Sequence, residues 1–142
     1  GIKAIDPCCG IGTVLIEALS MGISIVGSDI NPLVLTGTRE NLTHFDLATE
    51  ITLRDIRMIN EHFDVAILDM PYNLCSVLPD EEKLAMLKSA VNFAKKVVVI
   101  TIEPIDDLLV KAGFRIVDRC LAQKSTFTRQ IIVCISNKGN VD

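Results

Sequence analysis

The chain has 142 residues, 49% of them hydrophobic and 23% charged, with a formal net charge of −4. That is enough chain for one packed domain, too little for two, and too apolar for disorder. The acidic balance speaks against a surface that grips a nucleic-acid backbone unaided, because such a domain is expected to carry a basic surplus.

Ile2 to Asp6 is a β-branched run ended by Pro7, and it reads as the first strand. Thr13 to Met21 places Val14, Leu15, Ala18 and Leu19 at helical spacing before Gly22 stops the helix. Ser24 to Gly27 makes a second strand, after which Asn31 as N-cap and Pro32 at the first helical position open a helix toward Phe45. Ile51 to Leu53 is a short third strand, and Phe63 to Leu68 a buried fourth one ending at Asp69. A helix follows from Pro79-Asp80 through Phe93, then a fifth strand from Val97 to Ile102, then a helix from Pro104 that stops at Gly113. Phe114 to Leu121 and Thr128 to Ser136 are strands parted only by the turn Gln123 to Phe127. That turn leaves no room for a helical crossover, so the last strand is expected to run antiparallel to its neighbour.

This alternation predicts an α/β fold: a Rossmann-like, doubly wound, mostly parallel seven-stranded sheet with an antiparallel C-terminal strand, in one domain over residues 1–142. Ligands in such sheets sit beyond the carboxyl ends of the strands. No apolar run approaches the roughly 20 residues that cross a bilayer, and Gly1 to Asp6 lacks the form of a signal peptide. The cysteines, Cys8, Cys9, Cys75, Cys120 and Cys134, are odd in number and include no C-x-x-C pair, so they read as reduced thiols of a cytoplasmic protein with no metal site. Cys120 and Cys134 face the choice between meeting across the terminal hairpin and packing in the core, and core packing is the expectation. Arg54, Arg57, Arg119, Lys124 and Arg129 are read as scattered surface charge rather than a basic patch.

The chemistry gathers at strand ends. In Asp6 to Thr13, Gly10 and Gly12 let the backbone approach a ligand, and the following helix offers unpaired N–H groups. A G-x-G alone would equally serve a tight turn. Asp6 at the strand tip, however, would repel a pyrophosphate and suit a ligand bearing an ammonium and a sulfonium. Leu15 also stands where a dinucleotide fingerprint has its third glycine. Asp29 at the tip of the second strand suits two ribose hydroxyls, or else caps the helix that begins at Asn31-Pro32. Asp55 could accept from an adenine amino group with Ile30 and Ile56 about the ring, or be a solvated loop acid. Asp69-Met70-Pro71-Tyr72 sets a carboxylate, a rigid turn and an aromatic ring at the end of a central strand. A planar group could lie on Tyr72 while its amino hydrogens go to the Asp69 side chain and the Met70 carbonyl; the plain alternative is a turn with a surface tyrosine. His44 and His62 stand far from one another and from any serine or cysteine arranged for attack, which leaves a hydrolase without machinery.

Asp6-Pro7-Cys8-Cys9-Gly10-Ile11-Gly12-Thr13 resembles the D-P-F-C-G-S-G-T loop of class I S-adenosylmethionine-dependent amino-group methyltransferases, and Asp69-Met70-Pro71-Tyr72 their D-P-P-Y tetrad. Ser28-Asp29-Ile30-Asn31-Pro32 resembles their ribose-holding element. The chain is most similar to RNA methylases related to the tRNA guanine-N2 methyltransferases, which usually carry an N-terminal THUMP domain. The resemblance implies S-adenosyl-L-methionine as cofactor, held by Asp6, Cys8, Gly10, Gly12, Thr13, Asp29, Ile30, Asn31, Asp55 and Ile56, with Asp69, Met70, Pro71 and Tyr72 as catalytic residues. It implies methylation of an exocyclic amine, guanine N2 in tRNA or another RNA, with RNA binding helped by a further domain that precedes this one. DNA adenine, a protein glutamine or a small molecule are alternative acceptors, and a non-catalytic binding module is the rival from another class.

Overall fold

The computed structural model describes residues 1–70, 78–124 and 127–137, the side chains of Lys124 and Phe127 excepted. The elements in chain order are β1 (Ala4–Asp6), α1 (Thr13–Ser20), β2 (Ile25–Asp29), α2 (Pro32–His44), β3 (Ile51–Leu53), a 3-10 turn (Ile56–Met58) and β4 (Phe63–Asp69). They continue with α3 (Asp80–Phe93), β5 (Ala94–Thr101), α4 (Asp106–Ala112), β6 (Phe114–Lys124) and β7 (Phe127–Ser136). Strand order in the single sheet is β3-β2-β1-β4-β5-β7-β6. β1 to β5 pair in parallel, whereas β7 is antiparallel to both β5 and β6. The expected fold is the observed one.

Element ends differ where pairing or packing outweighs local pattern. β2 continues past Gly27 because Ser28 and Asp29 pair with Thr52 and Leu53 of β3. β5 begins at Ala94, straight after α3, because Ala94 pairs with Phe63; Lys95 and Lys96 had hidden that start from a hydrophobic reading. α4 starts at Asp106 rather than Pro104, since Ile105, 3% exposed, is drawn into the core as N-cap.

The strands read outward in both directions from β1 and β4: β2 and β3 lie to one side, β5 to the other. This reversal opens a crevice at the carboxyl ends of β1 and β4. The main core joins Leu68 of β4, Val97 and Val99 of β5, and Ile132 and Cys134 of β7 to Leu87 and Phe93 of α3 and Leu109 of α4. A second cluster packs Leu15 and Ala18 of α1 and Leu35 of α2 against Ala4 and Ile25. Side-chain alternation leaves Val98 and Ile100 of β5 and Ile131 and Val133 of β7 only half-buried, on the face away from the main core.

One expectation on side chains needs correction. Cys134 is fully buried as expected, but Cys120 is exposed, because it lies on the edge strand β6 and its partner Ile131 belongs to the half-buried face. The basic residues do not pool. Arg54 pairs with Glu61 beyond β3, Arg57 with Asp55, and Arg119 with Asp106 at the opposite sheet edge. Among the described residues no helix is long and apolar enough to cross a membrane, and no His/Cys/Asp/Glu group is arranged to hold a metal.

Candidate functional site

At the switch point Asp6 ends β1 and Asp69 ends β4, and the two acids open into one cavity of about 320 Å³. Its walls include Cys8, Gly10 and Thr13 from the glycine loop, Met70 beyond β4, Thr101 at the end of β5, and Arg129 of β7. The glycine loop and the end of β4, some sixty residues apart in sequence, therefore share a cleft.

The loop is held from below and from α2. The Cys9 N–H donates to the Ser28 carbonyl at 2.9 Å, and the Gly12 N–H to the Cys9 carbonyl at 2.9 Å. Thr38 of α2 donates its hydroxyl to the Gly10 carbonyl, and the Asn41 amide to the Ile11 carbonyl at 2.9 Å. Gly10 (φ 55°) and Gly12 (φ 93°) occupy left-handed conformations that side chains resist. A Cβ on Gly10 would meet nothing within 4 Å, so the loop leaves open space above its backbone. A Cβ on Gly12 would sit 3.0 Å from Thr38 Cγ2, so this glycine is where α1 and α2 meet closely. Gly12 is also the N-cap of α1 without a side-chain cap, which leaves that helix's first N–H groups to a ligand or solvent.

Asp6 is 1% exposed and takes a hydrogen bond from the Cys8 N–H at 3.3 Å. Burial is the main force raising its carboxyl to about 7; the Cys8 N–H pulls the other way, while Asp69 and Asp29 push it further up. The same surroundings push the Cys8 and Cys9 thiols up to about 12, so neither is a nucleophile at neutral pH. Acids and neutral thiols make a wall that favours a cation, and this donor set fits the ammonium and sulfonium of S-adenosylmethionine better than a pyrophosphate.

Asp29 lies behind the loop rather than on the cavity wall. Its Oδ2 accepts from the Gly10 N–H and its Oδ1 from the Asn31 N–H, both at 3.0 Å. Asn31 caps α2 through the Leu33 N–H, and Ile30 beside it is 63% exposed. Asp55 caps the 3-10 turn at Arg57 N–H (2.8 Å) and holds the Arg57 guanidinium at 2.7 Å, which keeps its carboxyl below the usual carboxylate range. Ile56 is 5% exposed and packs in the main core. So Asp6, Cys8, Gly10, Thr13, Asp69 and Met70 converge on the cavity, whereas Gly12, Asp29, Ile30, Asn31, Asp55 and Ile56 surround or support it without lining it. Pro71 and Tyr72 lie outside the described residues, as does Cys75.

Met70 is 5% exposed, and its N–H donates to the Ile100 carbonyl of β5 at 2.8 Å. A proline has no N–H to give, so methionine here ties the strand end to β5 by a bond that the first proline of D-P-P-Y forgoes. Thr101 and Arg129 were missed as cavity residues. Thr101 ends β5 one strand over from Asp69, and Arg129 carried a signal only as one of several basic residues near the terminal hairpin.

The RMKL-like methyltransferase domain family (UPF0020) matches residues 2–100, about seven-tenths of the sequence. The chain belongs to this family. This methyltransferase domain is 38% identical over 85 residues to a tRNA (guanine(10)-N2)-dimethyltransferase of Methanothermobacter thermautotrophicus, covering 58% of the chain and 25% of the relative. It is 35% identical over 79 residues to the U6 snRNA (guanine-N(2))-methyltransferase THUMPD2 of Homo sapiens, covering 51% and 16%. The matches thus span a quarter of one relative and less of the other. Among solved structures, magnesium protoporphyrin IX methyltransferase from Synechocystis PCC 6803 with bound SAM superposes with a TM-score of 0.81 at 17% identity, over 96% of this chain and 70% of that one. TrmN from Thermus thermophilus gives 0.79 at 21% identity, over 96% and 44%. The fold is that of S-adenosylmethionine-dependent methyltransferases.

Proposed function

We propose that this domain binds S-adenosylmethionine and transfers its methyl group to an exocyclic amine, guanine N2 in tRNA or a related RNA. The observation that carries this reading is the shared cavity: the glycine loop with Asp6 forms one wall and Asp69 with Met70 another. The guanine-N2 activities named for the two relatives support the choice of acceptor.

The cofactor supplies a methyl group already activated on a sulfonium. The rest falls to the protein, and it is mainly positioning. Asp6 would pair with the ammonium of the cofactor's amino-acid end, while Asp29, which fixes the glycine loop through Gly10 and Asn31, would offer its remaining lone pairs to ribose hydroxyls. Asp69 would accept a hydrogen bond from the amine, which orients the nitrogen lone pair and stabilises the positive charge that grows there during transfer; the methylated nitrogen then gives up its extra proton to solvent. Tyr72 is assigned the stacking platform and Pro71 the turn that presents it, on the sequence motif alone.

Labelled methyl transfer to bulk tRNA tests the reading. Asp69→Ala should lose roughly a hundredfold or more in rate, in line with removing one group that stabilises developing charge, while cofactor affinity stays within about twofold. Equal incorporation by Asp69→Ala and the unaltered protein would remove Asp69 from the chemistry.

A further inference from the structure

Arg129 stands on β7 two residues before Ile131, which pairs with Ile100, which in turn pairs with Asp69. Residues two apart on a strand share a face, so Arg129 rises on the same side of the sheet as Asp69, beyond the end of β5. Its Nη1 is 3.8 Å from Asp69 Oδ2, too far for a hydrogen bond. The other ion-paired arginines are differently placed: Arg54, Arg57 and Arg119 each hydrogen-bond a carboxylate directly. Among the described residues the Arg129 side chain meets Asp69 at ion-pair distance without a hydrogen bond, and it is the one cation on the cavity wall.

We propose that Arg129 determines acceptor specificity, donating to a base acceptor near the reacting amine while Asp69 accepts from the amine itself. This rests on the amine-methylation reading. A guanidinium cannot serve the nitrogen that gains positive charge, so at this position it must engage another part of the acceptor. Guanine offers N3 on one side of its N2 amine and O6 across N1 on the other. Arginine is suited to such base acceptors because its planar fork presents several donors at once. The 3.8 Å spacing leaves the two groups side by side rather than bonded to each other, so one base edge can lie across both, with a donor on Asp69 and a nearby acceptor on Arg129. Placement disfavours a role on the cofactor. Arg129 is ion-paired with Asp69, the acid assigned to the acceptor, and not with Asp6, the acid assigned to the cofactor.

The test uses nine-nucleotide RNAs of uridines with one central guanine, 2-aminopurine (lacking O6 and the N1 hydrogen) or 3-deazaguanine (lacking N3). Affinity is measured for the unaltered domain, Arg129→Ala and Arg129→Lys, each saturated with S-adenosylhomocysteine. The unaltered domain should prefer guanine to one of the analogues by roughly tenfold, the scale of one specific base contact. Arg129→Ala should lose that preference by binding guanine RNA as weakly as the analogue, and Arg129→Lys should recover part of it. No preference in the unaltered domain overturns the proposal, as does an equal proportional loss on all three RNAs. A drop in S-adenosylhomocysteine affinity in Arg129→Ala would reassign the residue to the cofactor. A salt slope reduced by about one, with discrimination intact, would reassign it to a phosphate. Absence of methyl transfer to tRNA would sink the catalytic reading, while the base preference would still decide the role of Arg129.

Discussion

Take the affinity of the cleft for S-adenosylhomocysteine, which keeps the ammonium but not the sulfonium, and lower the pH from 7 to 6. Asp6 in the free protein has its carboxyl raised to about 7 by burial, with Asp69 and Asp29 adding to the push. Half of it is ionised at pH 7 and about one-eleventh at pH 6, so if the ammonium needs the carboxylate, affinity should fall about fivefold, roughly 1 kcal/mol. Calorimetry in two buffers of different ionisation enthalpy would read both the affinity and the proton that binding releases. Folding stability should move the opposite way. With a folded value above the unfolded 3.8, the native protein holds more protons than the unfolded chain between about pH 4 and 7. This contribution therefore declines as pH rises across that window and levels off above it. Asp6→Asn should flatten both trends. An affinity unchanged between pH 6 and 7, or a slope that survives in Asp6→Asn, would show that Asp6 does not receive the ammonium.

Asp29→Ala should weaken cofactor binding and also lower stability by about 1–3 kcal/mol, because it strips a partner from the Gly10 and Asn31 N–H groups. Calorimetry and urea melts together separate the two losses, and unchanged values in both would exclude the residue. Gly12→Ala should cost roughly 1–3 kcal/mol, since alanine resists the +93° φ and its Cβ presses on Thr38; an unchanged melting temperature would contradict this.

The sequence pattern was legible where one local rule dominated. Asn31-Pro32 marked the start of α2 because capping is decided within a few residues, and the short last turn marked the antiparallel hairpin because no helix fits in it. Asp6 and Asp69 could be chosen as site residues because a carboxylate closing a buried strand is costly unless used. Features set by distant partners stayed hidden. Nothing local shows that Asp29 would be claimed by Gly10, nineteen residues away. Arg129 reaches Asp69 only because β7 inserts between β5 and β6, a matter of strand order rather than spacing. Methionine in place of the tetrad's first proline is visible in the sequence, yet its bond to Ile100 exists only once β5 lies alongside.

The charge distribution bears on how RNA is gripped. A protein that neutralises Z phosphates loses affinity with salt at a slope of about −0.7Z on single strands and −0.9Z on duplex. Here the formal charge is −4, and Arg54, Arg57, Arg119 and Lys83 are already engaged by Glu61, Asp55, Asp106 and Glu103. Breaking such pairs to reach phosphate gains little, because one anion merely replaces another. The domain by itself should therefore bind tRNA weakly, with a log–log salt slope between 0 and about −2, corresponding to no more than two or three phosphates. Fluorescence anisotropy between 50 and 300 mM potassium chloride would measure it. A slope steeper than about −5 would mean that this surface does collect phosphates after all, and that its ion pairs open to do so.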